Sequence, residues 1–419
     1  MRLLENASLI FVGLAMTMHL LTALLSMRRC RTSHVDQEIP ADRRSVSIVR
    51  PVRGLDQYDK ETLGSSFCLD HPDYELIFCC ADADDQAVPA IRDLMAAYPD
   101  IKARLLVGDD GGTANPKLNN LIKGWHAAHH DWIVIADSNV LMPTDYLARL
   151  LIGWRPGTGI VCSPAIGSRP EGFWAELECA FLNTYQARWQ YAADSVGLGF
   201  AQGKTMLWRR ADLEAAGGIV ALGNEAAEDA AATKVVRGQS LRVRLVDRPF
   251  EQPLGSRSAM QVWDRQLRWA KLRRAAFPAY FVPELLTGIL LPLMAVAIAA
   301  DSLGLDGAIL MGSFCVIWYG AEGTLATAAG WRCAWWSPLA WMARDVALPF
   351  LWLAAWLGNS FTWRGNPMST GHVQRVNTDT LDLTSDSSLP MVGTQQTALR
   401  ADNGADDPRK RVLSKGALN

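Results

Sequence analysis

From residue 7 to residue 27 the chain carries no Asp, Glu, Lys or Arg, a run long enough to cross a bilayer core of about 30 Å as a helix. Basic residues come after this run, at Arg28, Arg29, Arg31, Arg43 and Arg44. A signal peptide has its basic residues in front and a shorter apolar core. Residues 1–30 are therefore expected to form an uncleaved transmembrane anchor, and the positive-inside rule puts the residues after Arg28 on the cytosolic side.

Between about 45 and 250 short apolar runs alternate with stretches of helical periodicity. Runs at 45–52, 75–80, 103–107, 132–136, 159–162 and 241–246 predict strands, and 88–97 and 116–128 predict helices. This alternation predicts an α/β domain over 40–280 with a mainly parallel sheet covered on both faces. Ligand chemistry then belongs at the carboxyl ends of the strands. Phe173, Leu177, Phe181, Tyr185 and Trp189 are spaced four apart. They predict one aromatic-rich helix face, either packed on the core, or resting on a membrane, or lining the entry for a lipid.

After residue 280 the pattern changes again. From 282 to 358 the charged residues are Glu284, Asp301, Asp306, Glu322, Arg332, Arg344 and Asp345. Membrane spans are expected at about 283–300, 308–329 and 339–357, within a segment 281–360. Arg344 and Asp345 are costly in hydrocarbon, so they are expected to pair, face the bundle or lie near an interface. Residues 365–419 are polar and are expected to be a disordered tail.

Composition narrows the function classes. Lys and Arg number 41 against 43 Asp and Glu, so no overall basic footprint points to nucleic acid. Eight of the sixteen tryptophans fall between Trp318 and Trp363, as in an interfacial aromatic belt. The eight cysteines include no C-x-x-C pair, which argues against a zinc site or a disulfide framework and for the reducing side of a membrane.

Four places interrupt the apolar pattern with chemistry. Asp82, Asp84 and Asp85 come after the run 75–80, where they hold a base, ribose or cation, or form a solvated turn. Asp137-Ser138-Asn139 comes after 132–136 and offers hard oxygens to Mg2+ or Mn2+. Glu228-Asp229 opens a helical stretch, as a helix-terminal acid or as a general base. Arg265-Gln266-Leu267-Arg268-Trp269, extended by Lys271, Arg273 and Arg274, suits anionic lipid heads or a pyrophosphate. Neither G-x-x-x-x-G-K-[ST] nor G-x-G-x-x-G occurs, and Gly203-Lys204-Thr205 lacks the upstream glycine of a P-loop.

Taken in order, these places resemble the D, D, D, (Q/R)-x-x-R-W signature of membrane glycosyltransferases, and within them the ceramide glucosyltransferase family. The likeness runs over about 45–365. It includes Arg50-Pro51-Val52-Arg53-Gly54-Leu55-Asp56, Asn115-Pro116-Lys117-Leu118-Asn119-Asn120-Leu121, Ala216-Gly217-Gly218 and Ala227-Glu228-Asp229. The resemblance implies a GT-A-like nucleotide-sugar domain flanked by transmembrane helices. It also implies an inverting transfer from a UDP-sugar, glucose first, to the primary hydroxyl of a membrane lipid, ceramide first.

Asp85, with Asp82 beside it, matches the first motif aspartate, Asp137 the second and Asp229 the third, while Arg265, Arg268 and Trp269 match the last motif. The resemblance implies a role for each. Asp82, Asp85, Arg50, Arg53, Lys117 and Asn119 bind the donor, and Asp137 with Asn139 holds Mg2+ or Mn2+. Asp229 is the base, Arg268 with Arg265 stabilises the leaving diphosphate, and Trp269 walls the sugar or acceptor. Asp-Ser-Asn departs from the Asp-x-Asp metal signature, which leaves the ligand set open.

Arg265, where many relatives carry Gln, leans away from processive polysaccharide synthases. UDP-glucuronate, UDP-galactose or UDP-N-acetylglucosamine as donor, and diacylglycerol or a hopanoid-pathway lipid as acceptor, stay open. A non-enzymatic receptor or transporter is the remaining class, and internal topology repeats of the transporter kind are not seen. The expectation is a multi-pass membrane enzyme with a cytosolic catalytic domain, in the cytoplasmic membrane if bacterial, with no protein partner.

Overall fold

The apolar runs become the strands of one central sheet. The computed structural model describes residues 2–31, 44–109, 112–113, 115–363 and 366–371. The chain runs α1 (Arg2–Arg31), β1 (Val46–Pro51), α2 (Asp59–Ser65), β2 (Tyr74–Cys80), α3 (Ala87–Ala97), β3 (Lys102–Val107), α4 (Pro116–Ala127), β4 (Trp132–Ala136), α5 (Tyr146–Gly153) and β5 (Thr158–Cys162). Next come β6 (Ala165–Glu171), α6 (Phe173–Ala180), a π-helical stretch Phe181–Ala187, α7 (Arg188–Ser195), β7 (Thr205–Arg209), α8 (Arg210–Glu214) and α9 (Glu228–Gly238). Last are β8 (Arg242–Leu245), β9 (Phe250–Ser256), α10 (Ala259–Ala276), α11 (Pro278–Phe281), α12 (Leu290–Leu303), α13 (Gly307–Ala329), α14 (Ser337–Ala355), β10 (Ser360–Trp363) and β11 (Asn366–Ser369).

Seven strands form the sheet in the order β3-β2-β1-β4-β7-β5-β8. Pairing is parallel from β3 through β4 and between β5 and β8, and β7 runs antiparallel to both its neighbours. Every residue of β1 and β2 is buried, as expected of strands covered on both faces. Strand β1 lies between β2 on one side and β4 on the other, so the order reverses there and opens a crevice at their carboxyl ends. The six expected strands are found within a residue or two of their predicted bounds. Strands β6, β7 and β9 are additions to that set, and β6 pairs with β9 in a separate two-stranded sheet.

Two helices among the described residues are long and apolar enough to cross a membrane, Glu5–Arg31 and Gly307–Ala329. Pro278–Leu286 and Leu290–Ala300 pass the same test only together, across a 44° bend. The span expected at 339–357 falls on α14, which is not among them. Its face carrying Leu339, Met342, Val346, Phe350 and Leu353 is exposed, while Arg344 and Asp345 are buried on the other side. Arg344 pairs with Glu322 and Asp345 at 2.9 Å each, so the charges face the bundle, one of the outcomes the sequence allowed. At the far end of α1, Arg29 reaches Asp194 at 2.8 Å and Asp247 at 2.7 Å, tying the apolar helix to the α/β domain.

The polar tail expected from 365 lies outside the described residues, apart from 366–371. There Asn366–Ser369 pairs antiparallel with Ser360–Trp363. All eight cysteines are free thiols, in keeping with the absence of a disulfide framework.

Candidate active site

The crevice collects side chains from the ends of β1, β2 and β4. It also collects the residues just before β7, because an antiparallel strand presents its amino end where its parallel neighbours present their carboxyl ends. Asp137 at the tip of β4 donates its backbone N–H to the Lys204 carbonyl at 3.1 Å. Helix α4 starts with Asn115 as N-cap, whose side chain accepts from the Lys117 and Leu118 N–H groups, and with Pro116 in the first turn. Both residue types suit those positions, and they fix Lys117 at the mouth of the crevice. Helix α9 opens with Glu228 and Asp229, where the helix dipole favours negative charge.

Three carboxylates and two lysines meet there. Lys117 Nζ lies 2.6 Å from Asp137 Oδ1, pairs with Glu228 Oε1, and donates to the Gly203 carbonyl at 3.1 Å. Lys204 Nζ donates to Asp137 Oδ2 at 2.8 Å and to Asn139 Oδ1 at 3.1 Å. Asp229 accepts from the Gly203 N–H at 3.1 Å and the Ala230 N–H at 2.8 Å. Thr233 locks this corner by donating to the Asp229 carbonyl and accepting from the Ala201 N–H, both at 2.9 Å. A Cβ on Gly203 would come within 2.9 Å of Glu228 Oε1, so glycine is what lets this backbone approach the acids.

The charges set one another. Burial opposes ionisation of Asp137, but Lys117 and Lys204 outweigh it and hold the carboxyl well below the usual range. Burial works equally against the Lys117 charge, and Asp137 with Glu228 overcomes it. Burial pushes Lys204 down to about 8 against the pull of Asp137, with repulsion from Arg265 and Lys117 adding to the fall. At Asp229 burial and then the Glu228 charge push the carboxyl up to about 6, opposed by Lys117. A carboxylate tuned toward neutral pH is suited to general-base work.

The last sequence motif sits on α10. Arg265 pairs with the buried Glu178 and lies 5.1 Å from the Trp269 ring centre. Trp269 packs on Ala165, Cys179, Leu182 and Leu254. Arg268 shares this stretch of helix, three residues after Arg265. On the other rim, Asp85 accepts from the Gly54 N–H at 2.9 Å and the Ala87 N–H at 2.8 Å, joining the loops after β1 and β2. Asp82, exposed, accepts from the Asp84 N–H at 2.9 Å, and Arg53 is exposed on the facing loop.

Two expected donor contacts are corrected. Arg50 has no exposed surface, and its guanidinium donates to the carbonyls of Thr62, Asp137, Ser138 and Val140 at 2.7–3.2 Å. It shapes the Asp137 loop rather than touching a donor. Asn119 is buried, accepts from the Thr113 N–H at 2.8 Å and donates to the Thr113 carbonyl at 3.2 Å, so it holds the loop before α4.

The basic run does not present itself to lipid heads as a set. Lys271 donates to the Ser360 carbonyl at 2.9 Å, Arg273 pairs with Glu284 at 2.7 Å, and Arg274 donates to Asn359. The aromatic stripe is also corrected as a membrane-resting face, for Leu177, Phe181 and Tyr185 are buried. Leu177 and Phe181 pack with Val262 and Leu351 between α10 and α14.

Sequence reasoning misses Lys204 and Gly203 as site residues and gives Glu228 no role of its own. The one available signal, Gly203-Lys204-Thr205, fails as a P-loop and so carries no weight on that test.

Asp137 and Asn139 direct one ionised and one neutral oxygen at a common point. That donor set fits Mg2+ or Mn2+ completed by phosphate and water oxygens, provided the Lys204 ammonium turns aside. Among the described residues no group of three or more His, Cys, Asp and Glu is placed to hold a metal unaided.

The model of glycosyl transferase family 21 matches residues 8–376. Ceramide glucosyltransferase 3 of Caenorhabditis elegans is 26% identical over 375 residues, covering 87% of this chain and 80% of the relative. The ceramide glucosyltransferase of Komagataella phaffii is 36% identical over 115 residues, 26% of this chain and 23% of that one. Among solved structures, a mannosyltransferase of Pyrobaculum calidifontis in complex with GDP-Man and Mn2+ aligns with TM-score 0.47 and 17% identity, over 82% of this chain and 99% of its own. Glucosyl-3-phosphoglycerate synthase of Mycobacterium tuberculosis, with Mn2+, UDP and phosphoglyceric acid, aligns with TM-score 0.35 and 14% identity, over 56% and 78%. Since that family model matches nearly the whole length, the chain belongs to glycosyl transferase family 21, alongside the ceramide glucosyltransferases.

Proposed function

We propose that this glycosyltransferase moves a sugar, glucose in the first instance, from a UDP-sugar to the primary hydroxyl of ceramide. The observation that carries the reading is the placement of the Asp229 carboxyl on the Gly203 N–H, next to Glu228 and its partner Lys117 in the crevice, in a chain of the same family as the ceramide glucosyltransferases. Asp229 takes the proton of the acceptor hydroxyl as its oxygen bonds to the anomeric carbon. The bond from that carbon to the diphosphate breaks on the opposite face, and UDP leaves with the bonding pair, inverting the configuration. Negative charge grows on the diphosphate as this happens, so preorganised cations contribute most there. Lys117, Lys204, Arg265 and Arg268 are assigned that role, and Asp82, Asp85 and Arg53 the uridine end. A divalent cation on Asp137 and Asn139 would add its charge to the same diphosphate.

Nucleotide sugars, with their charged diphosphate, stay in water, and ceramide stays in the bilayer. Drawing an acyl chain into water costs about 0.8 kcal/mol per CH2, so the reaction belongs at a membrane surface. Arg28, Arg29 and Arg31 at the end of α1 support a cytosolic domain, with α1, the bent pair and α13 as a multi-pass membrane part.

Membranes containing the protein, given fluorescent ceramide or diacylglycerol with each of UDP-glucose, UDP-galactose, UDP-glucuronate and UDP-N-acetylglucosamine, should yield glucosylated ceramide by mass. Transfer of another sugar, or to diacylglycerol alone, would replace the substrate. Absence of UDP binding would overturn the reading. Lys204→Ala is expected to weaken UDP binding about tenfold or more in EDTA, as for loss of a charged hydrogen bond worth roughly 1.5–3 kcal/mol. Calorimetry measures this, and unchanged affinity would take Lys204 away from the diphosphate.

A further inference from the structure

The two oxygens that suit a divalent cation are held by one ammonium group. Lys204 Nζ donates to Asp137 Oδ2 at 2.8 Å and to Asn139 Oδ1 at 3.1 Å. The other Asp137 oxygen lies 2.6 Å from Lys117 Nζ. An ion bound to Asp137 Oδ2 and Asn139 Oδ1 together sits between them, where the Lys204 ammonium lies. Two cations do not share that point, so one must leave before the other arrives.

The two lysines are not held alike. Lys117 also pairs with Glu228 and donates to the Gly203 carbonyl at 3.1 Å, so its place depends on groups other than Asp137. Lys204 is held by the oxygens an ion would use. Its backbone is fixed, for its carbonyl accepts from the Asp137 N–H at 3.1 Å and strand β7 begins at the next residue, with Thr205 opposite Ala136. Movement is left to the flexible four-carbon stem. Asp137 attracts the ammonium, while Arg265 and Lys117 repel it. Once a divalent cation neutralises Asp137, that attraction is gone and the ion itself adds a further repulsion.

We infer that Lys204 is a resident counter-ion that exchanges with the divalent cation, holding Asp137 and Asn139 in the free protein and moving to the nucleotide diphosphate as the cation takes its place. The inference rests on the reading above that puts Lys204 at the diphosphate. In the free protein the ammonium keeps the second Asp137 oxygen from being left without a partner in a largely buried site. The diphosphate then draws the ammonium off and supplies further oxygens to the ion. Nucleotide and ion therefore each raise the affinity for the other, and by the same factor. Lys204 enlarges that factor, because the ion alone has to compete with it.

The test uses the full chain in phosphatidylcholine nanodiscs, with MnCl2 as the probe and free Mn2+ read from its solution EPR signal. Affinity is measured without UDP and with UDP, the protein being in excess over the nucleotide. Wild type is expected to bind Mn2+ about tenfold or more tightly with UDP than without, within the usual range of such coupling. Lys204→Met removes the ammonium at similar bulk. Without UDP it should tighten Mn2+ binding about tenfold or more, the scale of a competing charged hydrogen bond. With UDP the change should be far smaller, so the coupling between Mn2+ and UDP shrinks. Lys204→Gln is measured beside it, in case methionine at this polar position fails to fold, and the same result is expected.

Equal tightening with and without UDP would show a fixed repelling charge and overturn the exchange. So would Mn2+ affinity without UDP that neither variant changes, or a wild type that binds Mn2+ equally with and without UDP. A wild type that does not bind UDP would overturn the diphosphate reading and the exchange with it. UDP binding without coupling to Mn2+ would overturn the exchange alone.

Discussion

Replacing Asp229 with Asn is expected to lower kcat by roughly 10²–10⁴-fold, the usual contribution of a general base, with UDP affinity within about twofold of wild type. The asparagine keeps one acceptor oxygen for the Gly203 N–H and loses the one that takes the Ala230 N–H at 2.8 Å, while the Thr233 bond to the backbone carbonyl of residue 229 is unaffected, so the corner should stay folded. What goes is the capacity to remove a proton, which bears on turnover and not on nucleotide binding.

As the proposed base, the same residue sets the expected pH profile. A base must be ionised to act, and burial with the Glu228 charge has moved this carboxyl up to about 6. Turnover should therefore fall as pH drops through that value, approaching tenfold per unit on the acid side, and stay level from there up to about 8, where Lys204 loses its charge. Glu228→Gln removes one of the two raising causes and should carry the acid limb to lower pH. A limb that stays in place in Glu228→Gln, or an Asp229→Asn enzyme with near-normal turnover, would give the proton to another group.

The second large effect is structural. Arg344 is 1% exposed and gives both Glu322 oxygens and Asp345 hydrogen bonds of 2.9 Å. It also donates to Thr184 Oγ1 at 2.9 Å and to the Ala180 carbonyl at 3.3 Å. One side chain thus ties α13 and α14 to the helix that continues from α6 into the catalytic domain. Arg344→Ala leaves two buried carboxylates unpaired, which typically costs about 3–5 kcal/mol, a large part of a usual total stability of about 5–15 kcal/mol. The expected result is a marked fall in thermal midpoint by tryptophan fluorescence, with loss of activity accompanying unfolding. Replacing Arg344, Glu322 and Asp345 together by Leu should recover much of the loss, since an apolar substitute does not strand a charge. A single Arg344→Ala variant as stable as wild type would mean the network holds nothing.

The strands are legible because a doubly covered parallel sheet needs near-continuous apolar runs. That is how 132–136 and the placement of Asp137 at its tip emerge from sequence alone. Strand β7 is not legible, and Lys204 goes with it. Looking for polar residues after strands finds the carboxyl ends of parallel strands, whereas an antiparallel strand brings its preceding residues to the same crevice. Strands β6 and β9 contain Gly and Pro, which dilute any strand pattern.

Residue type also conceals direction. Arg50 and Lys117 both lie in stretches that carry the family likeness, yet one donates inward to four carbonyls and the other into the crevice. The stripe from Phe173 leaves two readings open, and the structure takes the core-packed one at Leu177, Phe181 and Tyr185. A π-helical stretch over Phe181–Ala187 changes the residue-to-residue rotation, and buried packing between α10 and α14 uses the aromatic face that a membrane could equally have taken.

The proposed single displacement by one base at this crevice dictates the stereochemistry of the product, and the anomeric configuration is the most direct measurement of it. Proton NMR of glycolipid made from UDP-α-glucose should show the β-anomer alone. An α-linked product would mean retention, and would contradict Asp229 acting as the base of a single inverting step.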